Sequence, residues 1–234
     1  MNISLYDLPL IPIKSLKAWS SMFFKPSGYE QIKGNGNAVE YVYKGRRVRL
    51  ATDAVRPDQL KNIMNEIFVI QPYMDLDVKD KVVIDIGASI GDTAIYFALN
   101  GARHVYAIEP ANSDRLKWIR KNAEQNGVAG KITVVKGMYN KVSLADLIKK
   151  YKLGSNLVLK MDCEGGEYGL LKETGSTLSK FSQIDIEYHY GYRNLLEHLG
   201  KGFELEHTVP FYFPRHNMLV GYIRGTKSKR IRRL

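Results

Sequence analysis

Asp185-Ile186-Glu187-Tyr188-His189-Tyr190 alternates ionisable and non-ionised side chains near the last quarter of the chain. In an extended strand this puts Asp185, Glu187 and His189 on one side and Ile186, Tyr188 and Tyr190 on the other. A histidine can take a hydroxyl proton near neutral pH, and a carboxylate beside it can orient its ring. His189 therefore reads as a general base and Glu187 as its orienting partner. A second acidic stretch, Lys160-Met161-Asp162-Cys163-Glu164-Gly165-Gly166-Glu167, follows the apolar run that starts at Leu157. Asp162 and Glu164 are expected in the same crevice as His189, although Glu164 and Glu167 also suit the N-terminus of the helix that follows. Cys163 sits between two carboxylates, which oppose thiolate formation, so it reads as a small buried residue and not a nucleophile. Asp162, Glu187 and His189 are also a plausible oxygen and nitrogen set for a divalent metal. The chemistry read from them requires none, and no metal is assigned.

What these groups act on is indicated by Val82-Val83-Ile84-Asp85-Ile86-Gly87-Ala88-Ser89-Ile90-Gly91-Asp92-Thr93. An apolar run, an acid, a glycine turn and an apolar helix pattern describe the point where an open α/β sheet holds a nucleotide-like ligand. The dinucleotide fingerprint would need glycine at 87, 89 and 92, but Ser89 and Asp92 stand at the last two. A carboxylate at Asp92 would repel a pyrophosphate on the helix N-terminus. A ligand with adenosine, no phosphate and a cationic end tolerates both Asp85 and Asp92, and S-adenosylmethionine is such a ligand. Glu109 ends the next strand 22 positions after Gly87, where doubly wound folds place an acid on the ribose hydroxyls. Asp85, Gly87, Ser89, Gly91, Asp92 and Glu109, with Gly137 and Met138 after the third strand, form the candidate cofactor set.

Strands and helices alternate from Asp80 onward, as the positioning of such a site demands. The periodicity predicts strands at Val82–Ile86, His104–Glu109, Ile132–Lys136, Leu157–Asp162 and Ile184–Glu187. Helices are expected at 92–100, 113–126, 143–150, 166–173 and 194–199, and an antiparallel pair at 203–209 and 218–224 closes the pattern. The expected fold class is therefore α/β: a Rossmann-like, doubly wound, mostly parallel seven-stranded sheet with an antiparallel edge strand. Ahead of it, Ser15–Phe24 reads as an amphipathic helix, either packed on the domain or lying as a lid or on a membrane surface. Residues 40–52 read as a β-hairpin around Lys44-Gly45, and Asp58–Ile70 as a helix entered at Pro57. The expected organisation is an N-terminal extension over residues 1–75 that covers the site, a catalytic domain over 76–225 and a basic tail over 226–234.

At 234 residues and 44 % hydrophobic content the chain can bury one full core, and its single cysteine excludes a disulfide framework. No apolar run reaches membrane-spanning length and no secretory signal is visible, so a cytoplasmic location is expected. The net charge of +11 is concentrated at the end, where Arg224, Lys227, Lys229, Arg230, Arg232 and Arg233 supply six charges and leave about +5 for the body. Such a tail is either solvated or bound to an anionic surface such as RNA or lipid headgroups.

Taken together, these residues resemble the FkbM family of S-adenosylmethionine-dependent methyltransferases, which belong to class I. The matching segments are Glu66-Ile67-Phe68 with Tyr73, VIDIGASIGDTAIYFALNGARHVYAIEPA from Val83, LKMDCEGGEYGLL from Leu159 and IDIEYHYG from Ile184. They run in family order over roughly 60 % of the chain. The K-x-D-x-E-G-x-E block and the E-x-H pair carry the specificity, whereas the glycine turn is generic. The resemblance implies cofactor contacts at Asp85, Gly87, Gly91 and Glu109, and a reaction-site floor of Asp162, Glu164, Glu187 and His189. The chain departs from the family at Ser89, where Asn is usual, and in a short connection between Met138 and Ser143. The implied reaction is O-methylation of a hydroxyl on a sugar, glycan or other small metabolite. RNA, gripped by the tail and by Arg46, Arg47 and Arg49, is the alternative acceptor.

Overall fold

The computed structural model describes residues 31–32, 37–139, 143–208, 210–213 and 218–228. The amphipathic segment Ser15–Phe24 and the tail from residue 229 lie outside them.

A two-stranded unit, β2 (Ala38–Tyr43) and β3 (Arg46–Ala51), carries the short β1 (Gln31–Ile32) on its other edge. Lys44 and Gly45 both have positive φ, so the two-residue turn expected at this pair closes the hairpin. Val39, Tyr41 and Tyr43 face inward with Val48 and Leu50. Helix α1 (Pro57–Asn65) starts on Pro57 and passes into a π-helical turn, Glu66–Ile70, that Gln71 ends in the left-handed region. The expected single helix over 58–70 is therefore two helical forms, and the widened turn re-aims Glu66.

The main sheet contains β4 (Val82–Ile86), β5 (His104–Glu109), β6 (Ile132–Lys136), β7 (Leu157–Met161), β8 (Phe181–Tyr188), β9 (Phe203–His207), β10 (Phe211–Phe213) and β11 (Met218–Lys227). Its order is β6-β5-β4-β7-β8-β11, with β9 and β10 paired end to end along the outer side of β11. The strands from β6 to β8 are parallel, and β11 runs antiparallel to β8. The expected mostly parallel seven-lane sheet is present. β4 and β7 are buried at every position, as strands covered on both faces must be.

One apolar cluster joins the hairpin, α1, α2 (Asp92–Leu99) and α3 (Arg115–Gln125) to one face of the sheet. A second cluster covers the other face with α4 (Leu144–Lys150) and α5 (Arg193–Leu199). The hairpin is tied to α3 by backbone-to-amide bonds: Ala51 N–H donates to Asn122 Oδ1 at 2.9 Å and Arg49 N–H to Asn126 Oδ1 at 3.0 Å. It thus shares the core of the catalytic sheet.

Two expectations change. The segment after β7 forms a 3-10 helix, Gly166–Lys172, where an α-helix was expected. The basic end starts later than composition suggests, because Arg224 and Lys227 belong to β11. Arg224 Nε donates to Asp185 Oδ2 at 2.7 Å, Nη1 to Asp75 Oδ2 at 3.0 Å and Nη2 to the Pro72 carbonyl at 2.8 Å. This arginine is a staple between the last strand and the N-terminal connection, with the buried Asp185 as its anchor.

Candidate active site

The strand order reverses direction between β5 and β7 on either side of β4, which opens a crevice at the carboxyl ends of these strands. At its apex Gly87 has φ +79°, and a Cβ built there would lie 1.6 Å from the Asp162 carbonyl oxygen. The first glycine is therefore demanded by the end of β7, whose backbone closes against the turn. Gly91, at φ +90°, has the Ile119 Cα 3.1 Å from its own virtual Cβ, so it seats α2 on α3. The loop is held from beneath by Lys160, whose Nζ donates to the Gly87 carbonyl at 3.0 Å and pairs with Asp85 Oδ1 at 3.1 Å. Burial would depress this amine, but Asp85, Asp162 and Asp92 hold its pKa above the usual lysine value.

Of the residues expected on the cofactor, Asp85 and Asp92 are buried. Asp85 is 0 % exposed, ion-paired to Lys160, and accepts the Thr93 hydroxyl at 2.6 Å. It lies beside Lys160 in the β4–β7 register, so the two side chains share one face of the sheet and Asp85 shapes the loop through Lys160. Asp92 is also buried, in the first turn of α2, and its Oδ1 has no hydrogen-bond partner among the described residues. Gly91 is buried against α3. Gly87 and Ser89 are partly exposed. Glu109 accepts the Ser89 backbone N–H at 3.0 Å and the Ser113 hydroxyl at 2.9 Å, so the acid at the β5 end also fixes the loop. Gly137 N–H donates to the Glu109 carbonyl, and Met138 next to it is 43 % exposed at the crevice edge.

Burial raises the Asp92 carboxyl to about 7. Its folded pKa exceeds the unfolded value, so its contribution to stability is complete below about pH 4 and is lost as pH rises through about 7. Asp92→Asn is expected to raise the melting temperature at pH 8 by more than at pH 5, with roughly 3 kcal/mol as the upper scale of the difference. Equal shifts at the two pH values in thermal unfolding would contradict this.

The acids and the histidine meet on the other side of the turn. His189 is 4 % exposed, and four carboxylates reach its ring from β8, the loop after β7 and the 3-10 helix. Glu167 Oε1 accepts Nδ1–H at 3.1 Å and the His189 backbone N–H at 2.8 Å. Nε2 lies 3.7 Å from Asp162 Oδ1, 4.0 Å from Glu187 Oε1 and 4.0 Å from Glu164 Oε2. The orienting carboxylate is therefore Glu167, whereas Glu187 faces the opposite nitrogen. Burial opposes charge on the imidazole, but the Glu167 bond and the surrounding carboxylates shift its pKa upward on balance. Burial and then the charge of Asp162 raise Glu187. Tyr222 stands opposite Glu187 in the β8–β11 register, and burial followed by Glu187 raises its phenol. The Cys163 thiol is pushed well above its ordinary value by burial and by Glu167, consistent with a non-nucleophilic role.

The family described as RNA cap guanine-N2 methyltransferase matches residues 80–219, more than half of the chain. The chain belongs to this family. Its family and its fold are those of S-adenosylmethionine-dependent class I methyltransferases. Protein arginine N-methyltransferase 1 of Oryza sativa subsp. indica is 33 % identical over 105 residues, 44 % of this chain and 24 % of that protein. The methyltransferase thus spans about a quarter of the length of that relative. Uncharacterized protein 158B of Sulfolobus islandicus rod-shaped virus 1 is 33 % identical over 131 residues, 55 % of this chain and 73 % of that protein. Among solved structures, M. capricolum TrmK with S-adenosyl-homocysteine has a TM-score of 0.50 at 18 % identity, over 73 % of this chain and 68 % of that one. P. horikoshii TYW2 with MeSAdo has a TM-score of 0.50 at 16 % identity, over 84 % and 74 %. These two share the fold. No helix among the described residues is long and apolar enough to cross a membrane.

Three residues of the methyltransferase site escaped the sequence reading of roles. Lys160 was visible only as a motif member, and its link from Asp85 to the Gly87 carbonyl needs the β4–β7 register. Glu167 looked like a helix-capping acid. Glu66 comes from the π-helical turn, and its carboxyl is raised by burial and then by the charge of Asp162. Only tertiary packing brings it to the crevice.

Proposed function

We propose that this methyltransferase acts as FkbM-like enzymes do, moving the S-adenosylmethionine methyl to a hydroxyl of a sugar, glycan or other small metabolite. The observation that supports it most is convergence: the 160–167 block and the 187–189 pair, which are far apart in sequence, meet around one imidazole. In this reading the Gly87–Ser89 turn takes the methionine end of the donor, Glu109 the ribose and Met138 the adenine side. The segment Glu66–Tyr73 walls the acceptor side of the crevice. The donor would bring its cationic sulfonium toward the carboxylates of Asp162 and Glu187, which would hold that charge and so orient the methyl toward the acceptor. The acceptor oxygen attacks the methyl carbon in line, the carbon–sulfur bond breaks toward sulfur, and the hydroxyl proton passes to the carboxylate–imidazole cluster. A sulfonium methyl is already activated, so orientation supplies much of the rate.

A second reading is methylation of RNA. It is favoured by the description of the family matched over residues 80–219 and by the basic end beyond β11. One experiment separates the two. Methyl-labelled donor is offered with a panel of glycan and polyol hydroxyls, capped and uncapped RNA, and arginine-rich peptides. The hydroxyl reading expects label in an ether that survives alkali and nuclease. Label found only in RNA, at a rate falling steeply with salt and on deletion of residues 229–234, would replace it with the second reading. Label found only in peptide arginine would overturn both.

A further inference from the structure

We propose that Asp162, Glu187 and His189 form a site for one divalent cation of the Mn2+ type at the acceptor end of the crevice. The inference rests on the reading that this crevice receives the acceptor.

The three side chains each offer one ligand atom, and these atoms lie within 4.8 Å of one another. The separations of 3.7 Å and 4.0 Å from His189 Nε2 to the two carboxylates are too long for hydrogen bonds. They suit two atoms bound to one ion, because metal–ligand bonds of about 2.0–2.4 Å put neighbouring ligands about 3–4 Å apart. The imidazole supplies an independent sign. A carboxylate only accepts, so the Glu167 bond puts the proton on Nδ1 and leaves Nε2 as the atom that faces the acids. Nε2 belongs to a side chain 5 % exposed, and three carboxylates face it at 3.7, 4.0 and 4.0 Å.

The support behind the ring has the same meaning. Glu167 is fully buried and holds both Nδ1 and the His189 backbone N–H. Metal-binding histidines almost always donate their second ring N–H to such a group. Two carboxylates and a neutral imidazole nearly balance a dication. The mixed oxygen and nitrogen set favours first-row ions such as Mn2+ over Ca2+. Glu164, on an exposed side chain at the mouth, borders the side from which an acceptor oxygen would enter.

The test is a titration of Mn2+ into the full chain, following loss of the free-ion EPR signal, with pulsed EPR to detect an imidazole nitrogen on the bound ion. One Mn2+ per chain with nitrogen coupling is expected. His189→Ala should abolish the coupling, and Asp162→Asn or Glu187→Gln should weaken binding about tenfold or more. No binding by the folded wild-type chain, or bound Mn2+ without nitrogen coupling, would overturn the site, even where a variant fails to fold. Equal affinity in all three folded variants would do the same. Hydroxyl methylation by a protein that binds no Mn2+ would overturn the site alone. Coupled Mn2+ in a protein that labels no hydroxyl would uphold the site and remove the hydroxyl reading.

Discussion

Gly87→Ala is expected to cost about 4 kcal/mol or more, enough to lower the melting temperature by about 10 °C or to prevent soluble expression. Two penalties coincide at this position. The backbone is at φ +79°, in the left-handed region that costs a side chain roughly 1–2 kcal/mol. In addition the new Cβ would lie 1.6 Å from the Asp162 carbonyl oxygen and 2.7 Å from its carbon, and neither is the movable end of a side chain. Relief would require β4 and β7 to part where Asp162 N–H donates to the Ile86 carbonyl. Gly127→Ala isolates the first penalty, since Gly127 has φ +68° and nothing within 4 Å of its virtual Cβ. It should cost about 1 kcal/mol. Thermal unfolding of the two variants side by side checks the account, and equal losses would show that the approach of Asp162 does not matter.

The parallel strands from β4 to β7 were legible because their runs are short and mostly apolar, with an acid or a glycine at the end or directly after it. Val82–Ile86, His104–Glu109 and Ile132–Lys136 coincide with the expected spans. The gathering of Asp162, Glu187 and His189 at one end also followed from topology, since parallel strands bring their carboxyl ends together. Side-chain direction was harder. Asp85 occupies a motif position that reads as a ligand contact, yet strand parity turns it toward Lys160, and parity at a strand end depends on where pairing stops. The partner of His189 was misread for a similar reason. Glu187 lies two residues away on the same strand, whereas Glu167 comes from a 3-10 turn whose geometry is set by Gly165 at φ +100°. Composition misled at the end of the chain. Arg224 looked like the first residue of a basic tail, but the Asp185 carboxylate opposite it in the register holds it in the sheet.

His189→Ala is the second large effect, and it falls on turnover. Its ring stands between the donor crevice and the carboxylates of Asp162, Glu164 and Glu187, while Glu167 holds it from behind. Whether Nε2 meets the acceptor itself or an ion that holds it, no hydrogen bond or ion pair among the described residues joins the ring to the Gly87–Ser89 loop. That loop depends on Lys160 and Glu109. Groups that move or orient a proton in the transition state contribute about 10²–10⁴ in rate. The most direct measurement is therefore the single-turnover methylation rate of His189→Ala, paired with its S-adenosylhomocysteine affinity by calorimetry. The account predicts a rate at least about a hundredfold below wild type, with product affinity within about threefold, in a variant that still unfolds cooperatively. A rate within a few-fold of wild type, in a variant that binds the product normally, would contradict it.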